Sequence, residues 1–283
     1  MTEQPRLKRH FWVWVILIAL ALLLLGEIAG EVCVTILQNL IPLPDEYEFI
    51  VSIYLSFIGI DAVVLIFCWL WEKDVFRSML WPKAGGASGN TLKVFLLGLL
   101  AGFLLNGACI LVAWLHGDIR LSFGRFQPVY LLFALVVICI QSGAEELLTR
   151  GYMLGALRER YPAWVAVAVN SLLFGALHLF NDGVTVFSVL NIVAFGAVLS
   201  LVVIRWNSLW MSIAIHTAWN FTQNILFGLP NSGIVSQGSL FRLEAASGSL
   251  LYDAGFGVEG GLTALLVMVL LGALTFLVGR KKA

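Results

Sequence analysis

Eight apolar stretches of about twenty residues each constrain this chain more than any other feature of its sequence. They run at about 11–31, 49–71, 92–114, 129–157, 162–180, 185–204, 206–228 and 260–279. A run of ~20 apolar residues is long enough to cross the hydrocarbon core of a bilayer as a helix. Inside lipid, only helices and closed barrels satisfy their own backbone groups. The chain has 283 residues, 60% hydrophobic and 12% charged, with mean hydropathy +0.94; a soluble domain carries roughly 25% charged residues. The expected fold is all-α, a polytopic membrane helix bundle of about eight transmembrane helices forming a single integral membrane domain over residues 1–283.

The basic residues give the orientation. Seventeen Lys and Arg are present. If the N-terminus is inside, the cytoplasmic segments hold Arg6, Lys8, Arg9, Lys73, Arg77, Lys83, Lys93, Arg158, Arg160, Arg205, Arg280, Lys281 and Lys282. The outer loops hold only Arg120, Arg125 and Arg242. The positive-inside rule therefore predicts N-in and C-in. Basic residues before the first apolar run resemble a signal peptide, but that run has the length of a span and no clear A-x-A site, so an uncleaved anchor is expected. Trp residues near the span ends, such as Trp12, Trp71, Trp81 and Trp206, suit interfacial anchoring. Cys33, Cys68, Cys109 and Cys139 lie in apolar runs without C-x-x-C spacing and read as packing residues. No basic stripe supports nucleic-acid binding. The Gly- and Ser-bearing loop at 229–259 reads equally as a cap on the outer side or a mobile segment.

Against this background the fourth stretch is anomalous. QSGAEELLTR (141–150) sets Glu145, Glu146 and Arg150 in a segment apolar enough to span. Charges at that depth are costly unless paired or facing a wet cavity, and they mark function. Glu146 and Arg150 are four apart and share a helix face, so they can form a structural ion pair. Glu145 is turned about 100° away at 3.6 residues per turn. In the fifth stretch Asn170, Phe174 and His178 recur every four residues; in the seventh His216 and Asn220 do. With the fourth and fifth stretches forming a hairpin near residue 160, Glu145 and His178 fall at levels within about 5 Å of one another at ~1.5 Å rise per residue. His216 and Asn220 reach a similar depth. One cluster of Glu145, His178, His216 and Asn220 is expected.

A carboxylate beside an imidazole in a partly dry cavity is suited to activate water as a general base. A second His with an Asn one turn away suits an oxyanion site. That combination describes hydrolysis of an amide or ester within the membrane. No serine lies in a G-x-S-x-G context and no cysteine is close in sequence to these histidines. The same residues admit a metal reading, in which Glu145, His178 and His216 ligate a catalytic Zn with an open position, although no H-E-x-x-H is present.

EELLTRG (145–151), FGALH (174–178) and HTAWN (216–220) resemble the EExxxR, FxxxH and HxxxN signatures of the CPBP intramembrane protease family, the CAAX-protease and bacteriocin-processing group also called Abi, which includes the type II CAAX prenyl endopeptidase. The resemblance covers about 129–228, the expected protease core. It implies Glu145 as the base that activates water with His178 assisting, His216 and Asn220 at the oxyanion, and Glu146 paired with Arg150 to hold the site. Members are described both as metalloproteases and as metal-independent glutamate proteases. Thr149 departs from the aromatic or aliphatic residue common before the Arg.

The leading expectation is an intramembrane endopeptidase acting on a membrane-associated protein or peptide, CAAX-like or prenylated among the options, in the bilayer of a prokaryotic inner membrane. The alternative is a non-catalytic scaffold or bacteriocin self-immunity protein. A proton-coupled transporter using Asp61, Glu27 and Glu31 is a weaker third, because no inverted repeat or pair of matching broken helices is evident.

Overall fold

The computed structural model describes residues 11–80 and 89–278. The basic residues Arg6, Lys8, Arg9, Lys83, Arg280, Lys281 and Lys282, and Trp81, lie outside the described residues. Helix α1 covers Trp12–Leu40, and α2 (Asp45–Tyr54) continues through one 3-10 turn into α3 (Ile58–Trp71). A short α4 (Lys73–Leu80) precedes α5 (Leu92–His116). Helix α6 (Pro128–Glu146) passes through a π-helical segment, Leu147–Met153, into α7 (Leu154–Arg158). Then follow α8 (Ala163–Leu177), α9 (Val186–Trp206), α10 (Leu209–Asn220) with a second π-helical segment at Phe221–Leu226, and α11 (Leu262–Val278).

These helices coincide with the apolar stretches of the sequence. Among the described residues, five segments are long and apolar enough to cross a membrane: Trp12–Leu40, Asp45–Trp71, Leu92–His116, Pro128–Arg158 and Val186–Trp206. Ala163–Leu177 is a shorter apolar helix. Leu24, Leu25, Ile28, Val32 and Ile36 of α1 are all more than half exposed. A contiguous apolar surface of that kind is a liability in water and is what a bilayer covers. Helix α10 differs, with Leu209, Ser212 and every residue from Ala214 to Asn220 buried. It is the inner helix around which the others pack.

Close crossings make this possible. With little hydrophobic drive between helices in lipid, small residues let backbones approach and gain dispersion contact. A Cβ on Gly59 of α3 would sit 2.2 Å from the Gly26 carbonyl oxygen and 2.3 Å from the Gly30 nitrogen of α1. On the other side, α5 lies against α10 at Gly102, where a Cβ would be 2.3 Å from the Ile215 carbonyl oxygen. The tight α9–α10 corner is made by Asn207 at φ 50°, followed by Ser208, whose hydroxyl accepts from the Met211 amide at 3.1 Å. This is an N-cap satisfying one orphan donor.

The described residues are mostly helical, as expected, with one addition. The segments at 119–123 and 241–246 pair as a two-stranded antiparallel sheet, β1 (Ile119–Phe123) and β2 (Phe241–Ala246), with a bulge between Arg120 and Leu121. The pairing is long-range, and FRLEAA alternates half-buried and exposed residues along β2 as a strand at a surface does. The 229–259 loop is a packed cap: Leu229, Tyr252, Phe256 and Val258 are fully buried. Asp118 ties it to β1, accepting from the Ser247 amide at 2.8 Å and from the Ser249 hydroxyl at 2.8 Å.

The crossing argument predicts an asymmetry between two glycines. Gly59→Leu should lower unfolding stability in detergent micelles by more than about 1–3 kcal/mol, the usual cost of overpacking. A Cβ on Gly107 of α5 meets nothing within 4 Å, so Gly107→Ala should leave the thermal midpoint unchanged or slightly raised.

Candidate active site

Part of the polar set of the apolar helices meets at a cavity of about 390 Å³ lined by α1, α2, α3, α6, α8, α9, α10, α11 and the cap. Glu145, His178, His216 and Asn220 all line it, and so do Gln141, Trp219, Asn231, Ser232 and Glu259. Local structure explains their presentation. Glu145 and Glu146 end α6 where the backbone loosens into the Leu147–Met153 π segment, and Asn220 ends α10 just before the Phe221–Leu226 π segment. Such segments are rare and recur at functional sites, because the wider turn shifts the faces that follow it. His178 caps α8, out of the helical region at φ −95° and ψ 2°.

Glu146 is fully buried and holds the motifs together. Its Oε1 accepts from Arg150 Nη1 at 2.9 Å and lies 3.0 Å from His216 Nδ1; its Oε2 accepts from the Ser212 hydroxyl. The expected i,i+4 pair is present, but its carboxylate also grips α10 at two points. Arg150 is held further by Thr149 Oγ1, which accepts from Nη1 at 2.8 Å and itself donates to the Glu145 carbonyl. Thr149 thus fits the turn it occupies. Phe174 covers the guanidinium, with Arg150 Cζ 4.2 Å from its ring centroid. Stacking of that kind stabilises a desolvated cation. The aromatic of the second motif therefore serves the arginine of the first.

Glu145 faces the other way. Its Oε1 accepts from Gln141 Nε2 at 2.6 Å. Its Oε2 has no hydrogen-bond partner among the described residues and lies 3.7 Å from His216 Nε2. The imidazole that reaches Glu145 is thus that of His216. The expected contact across the hairpin with His178 is indirect, through the shared cavity. His178 Nδ1 is bound to the Phe174 carbonyl oxygen at 2.8 Å. A carbonyl only accepts, so Nδ1 carries the proton and Nε2 keeps its lone pair in the neutral ring. On the far side, Asn220 Nδ2 donates to Gln141 Oε1 at 3.1 Å.

Several site residues gave no functional signal in the sequence. Ser212 is a buried serine among apolar neighbours. Glu259 stands in a Gly-rich loop, yet its Oε1 accepts from Trp219 Nε1 at 3.0 Å and Asn231 Nδ2 at 3.0 Å. Its Oε2 accepts from the Ser232 amide at 2.9 Å and the Ser232 hydroxyl at 2.7 Å. Burial raises the Glu259 carboxyl above its ordinary range, against the opposing pull of Ser232, Trp219 and His178. Its one sequence-level hint is an isolated acid, GVEGG, just before the last apolar run. Asn170, grouped with His178 by spacing, instead donates to Ser200 Oγ on α9 at 2.9 Å and serves helix packing. Of the transporter candidates, Glu27 lines the cavity, and Asp61 Oδ1 has no partner among the described residues.

A zinc centre of Glu145, His178 and His216 is not supported by this donor set. Among the described residues no three His, Cys, Asp or Glu side chains converge as a ligand set; the Nδ1 contacts to Glu146 and Phe174 leave Nε2 of each ring as its remaining nitrogen.

With the geometry in hand, the comparisons bear out the resemblance carried by the three motifs. Residues 127–222 match the family described as Type II CAAX prenyl endopeptidase Rce1-like. The chain is also 27% identical over 271 residues to the uncharacterized protein YyaK of Bacillus subtilis (strain 168), covering 89% of this chain and 88% of that protein. The apolar helices and this match together identify an integral membrane protein similar to a protease family.

The Glu146 network predicts that Ser212→Ala leaves a buried carboxylate oxygen without its donor. Unfolding in detergent should show a loss of about 1–3 kcal/mol, the usual cost of a hydrogen bond removed from a buried charged group.

Proposed function

We propose that this protein is an intramembrane endopeptidase that hydrolyses a peptide bond of a membrane-associated protein or peptide with water activated by Glu145. The observation that carries the reading is the convergence of Glu145, His178, His216 and Asn220 on one cavity, with Glu145 Oε2 free of hydrogen bonds from the described residues. The match of residues 127–222 to a protease family supports it independently. The motif-bearing segment 129–228 is the catalytic core of one membrane-integral unit. We take the chain to cross the bilayer about eight times with both ends inside, in a prokaryotic inner membrane, since the helices coincide with the eight apolar stretches and the basic residues favour that sense.

The chemistry follows from the side chains. Glu145 Oε2 takes a proton from water, with His178 Nε2 accepting the second water hydrogen as an orienting bond. The hydroxide adds to the scissile carbonyl carbon and its C–O bond forms. The carbonyl electrons move to oxygen, and the oxyanion is met by the Asn220 amide NH2 and by His216 Nε2 when that nitrogen carries a proton. Collapse of the tetrahedral species breaks the C–N bond as the proton held by Glu145 passes to the leaving amine. Two products result, a carboxylic acid and an amine, with one water consumed. Glu146 keeps His216 in place through Nδ1 and keeps Arg150 neutralised at the same depth.

Two outcomes follow for purified protein in liposomes with a membrane-tethered peptide. Glu145→Ala should reduce product release at least ~10³-fold, as expected when base and water positioning are both lost, while thermal stability changes little. Wild-type turnover should survive a strong chelator of divalent metals. Unchanged cleavage by Glu145→Ala would remove the mechanism. Chelator-abolished activity restored by zinc would replace it with a metal-bound water.

A further inference from the structure

The reaction needs one end of the Asn220 amide. Only the NH2 end can donate to an oxyanion; the oxygen would repel it. Helix α10 fixes where Asn220 sits but not which end of its amide faces the reacting carbonyl, because the terminal amide torsion is broad. Its hydrogen-bond neighbours decide.

One of those neighbours comes from the outer cap. Asn231 Nδ2 lies 3.3 Å from Asn220 Oδ1 and 3.0 Å from Glu259 Oε1. An amide NH2 carries two hydrogens, one for each of these acceptors. Turned over, Asn231 would set its oxygen against two acceptors, so the Glu259 carboxylate fixes the orientation of Asn231. Asn231 in turn occupies Asn220 Oδ1. The Asn220 NH2 is left facing α6, where it donates to Gln141 Oε1 at 3.1 Å and, at the long distance of 3.5 Å, to Ser142 Oγ, the weaker contact being the one an oxyanion would replace. Gln141 passes the sense on, donating to Glu145 Oε1 at 2.6 Å. A single ordered chain of amides thus links Glu259 in the cap to Glu145 in the membrane.

The turn that carries Asn231 is built to be rigid. Asn231 and Ile234 exchange both backbone hydrogen bonds at 2.9 Å. Ser232 and Gly233 between them have φ 49° and 91°, the two positive values of a tight mirror-image turn. Asn181, in the α8–α9 turn, donates to the Ser232 carbonyl at 2.9 Å, and Asn224, in the second π segment, donates to the Ile234 carbonyl at 2.9 Å. The cap is therefore anchored to the elements that bear His178 and Asn220.

We infer that Asn231 is a positioning residue for Asn220, that Glu259 is its anchor, and that the outer cap is thereby a working part of the active site. The inference rests on the protease reading and extends it beyond the matched stretch, since 231 and 259 both lie outside residues 127–222.

The test is a double-mutant comparison on a membrane-tethered peptide. Asn231→Ala should lower kcat by roughly ten- to a hundredfold, a part of the ~10²–10³ that loss of an oxyanion donor costs, with KM unchanged. In an Asn220→Ala background the same substitution should change kcat less than about twofold, because residues acting through one another are not additive. Asn231→Asp, equal in size but offering an acceptor to both Asn220 and Glu259, should be at least as damaging with its thermal midpoint kept within a few degrees. Full turnover by Asn231→Asp would overturn the inference, as would an equal loss from Asn231→Ala in both backgrounds, which marks a merely structural cap. A wild type that cleaves nothing would instead overturn the protease reading beneath it.

Discussion

The buried carboxylate of Glu146 is the interaction on which the rest of this structure depends. It accepts from Arg150 on its own chain segment and from Ser212 on α10, and it lies 3.0 Å from His216 on the same helix. A charge at that depth is tolerable only when every partner is present. The same condition that makes Glu146 bearable therefore forces α6 and α10 into one register. That register sets Glu145 beside His216 and Asn220 beside Gln141. Phe174 adds α8 by covering Arg150. The three sequence motifs form one packing unit, and it is this unit that holds the candidate site together.

The adjacent carboxylates divide the work because a helix turns. Glu146 points into protein and is saturated; Glu145 lines the cavity with one oxygen held by Gln141 and the other without a partner among the described residues. At the start of the π segment that follows, Thr149 donates to the Glu145 carbonyl and accepts from Arg150 Nη1, so the i,i+4 contacts persist through it. On the opposite wall the cap supplies Asn231, Ser232 and Glu259, so the cavity is closed by residues far in sequence from the motifs.

How much of this could be read from the sequence follows from the range of each interaction. Hydropathy located the helices because every span must bury its backbone in lipid, whatever its neighbours. The Glu146–Arg150 pair was legible because i,i+4 geometry is local. The convergence of Glu145, His178, His216 and Asn220 was legible in outline from helix rise alone. Rise cannot say which imidazole meets which carboxylate, and His216 took the place expected of His178. The roles of Ser212 and Glu259 were not legible for a related reason: a serine in an apolar helix and a glutamate in a glycine-rich loop acquire meaning only from partners on other elements. The β1–β2 pairing joins segments more than a hundred residues apart, and only its alternating FRLEAA gave a trace.

The division of labour between neighbouring glutamates is tested most directly by thermal unfolding of two isosteric variants in the same detergent. Glu146→Gln should lose the buried ion pair and melt far below wild type, by an amount equivalent to about 3–5 kcal/mol. Glu145→Gln should melt within about 1 kcal/mol of wild type, since the Gln141 hydrogen bond can be kept. Equal destabilisation by both, or a stable Glu146→Gln beside an unstable Glu145→Gln, would contradict the account.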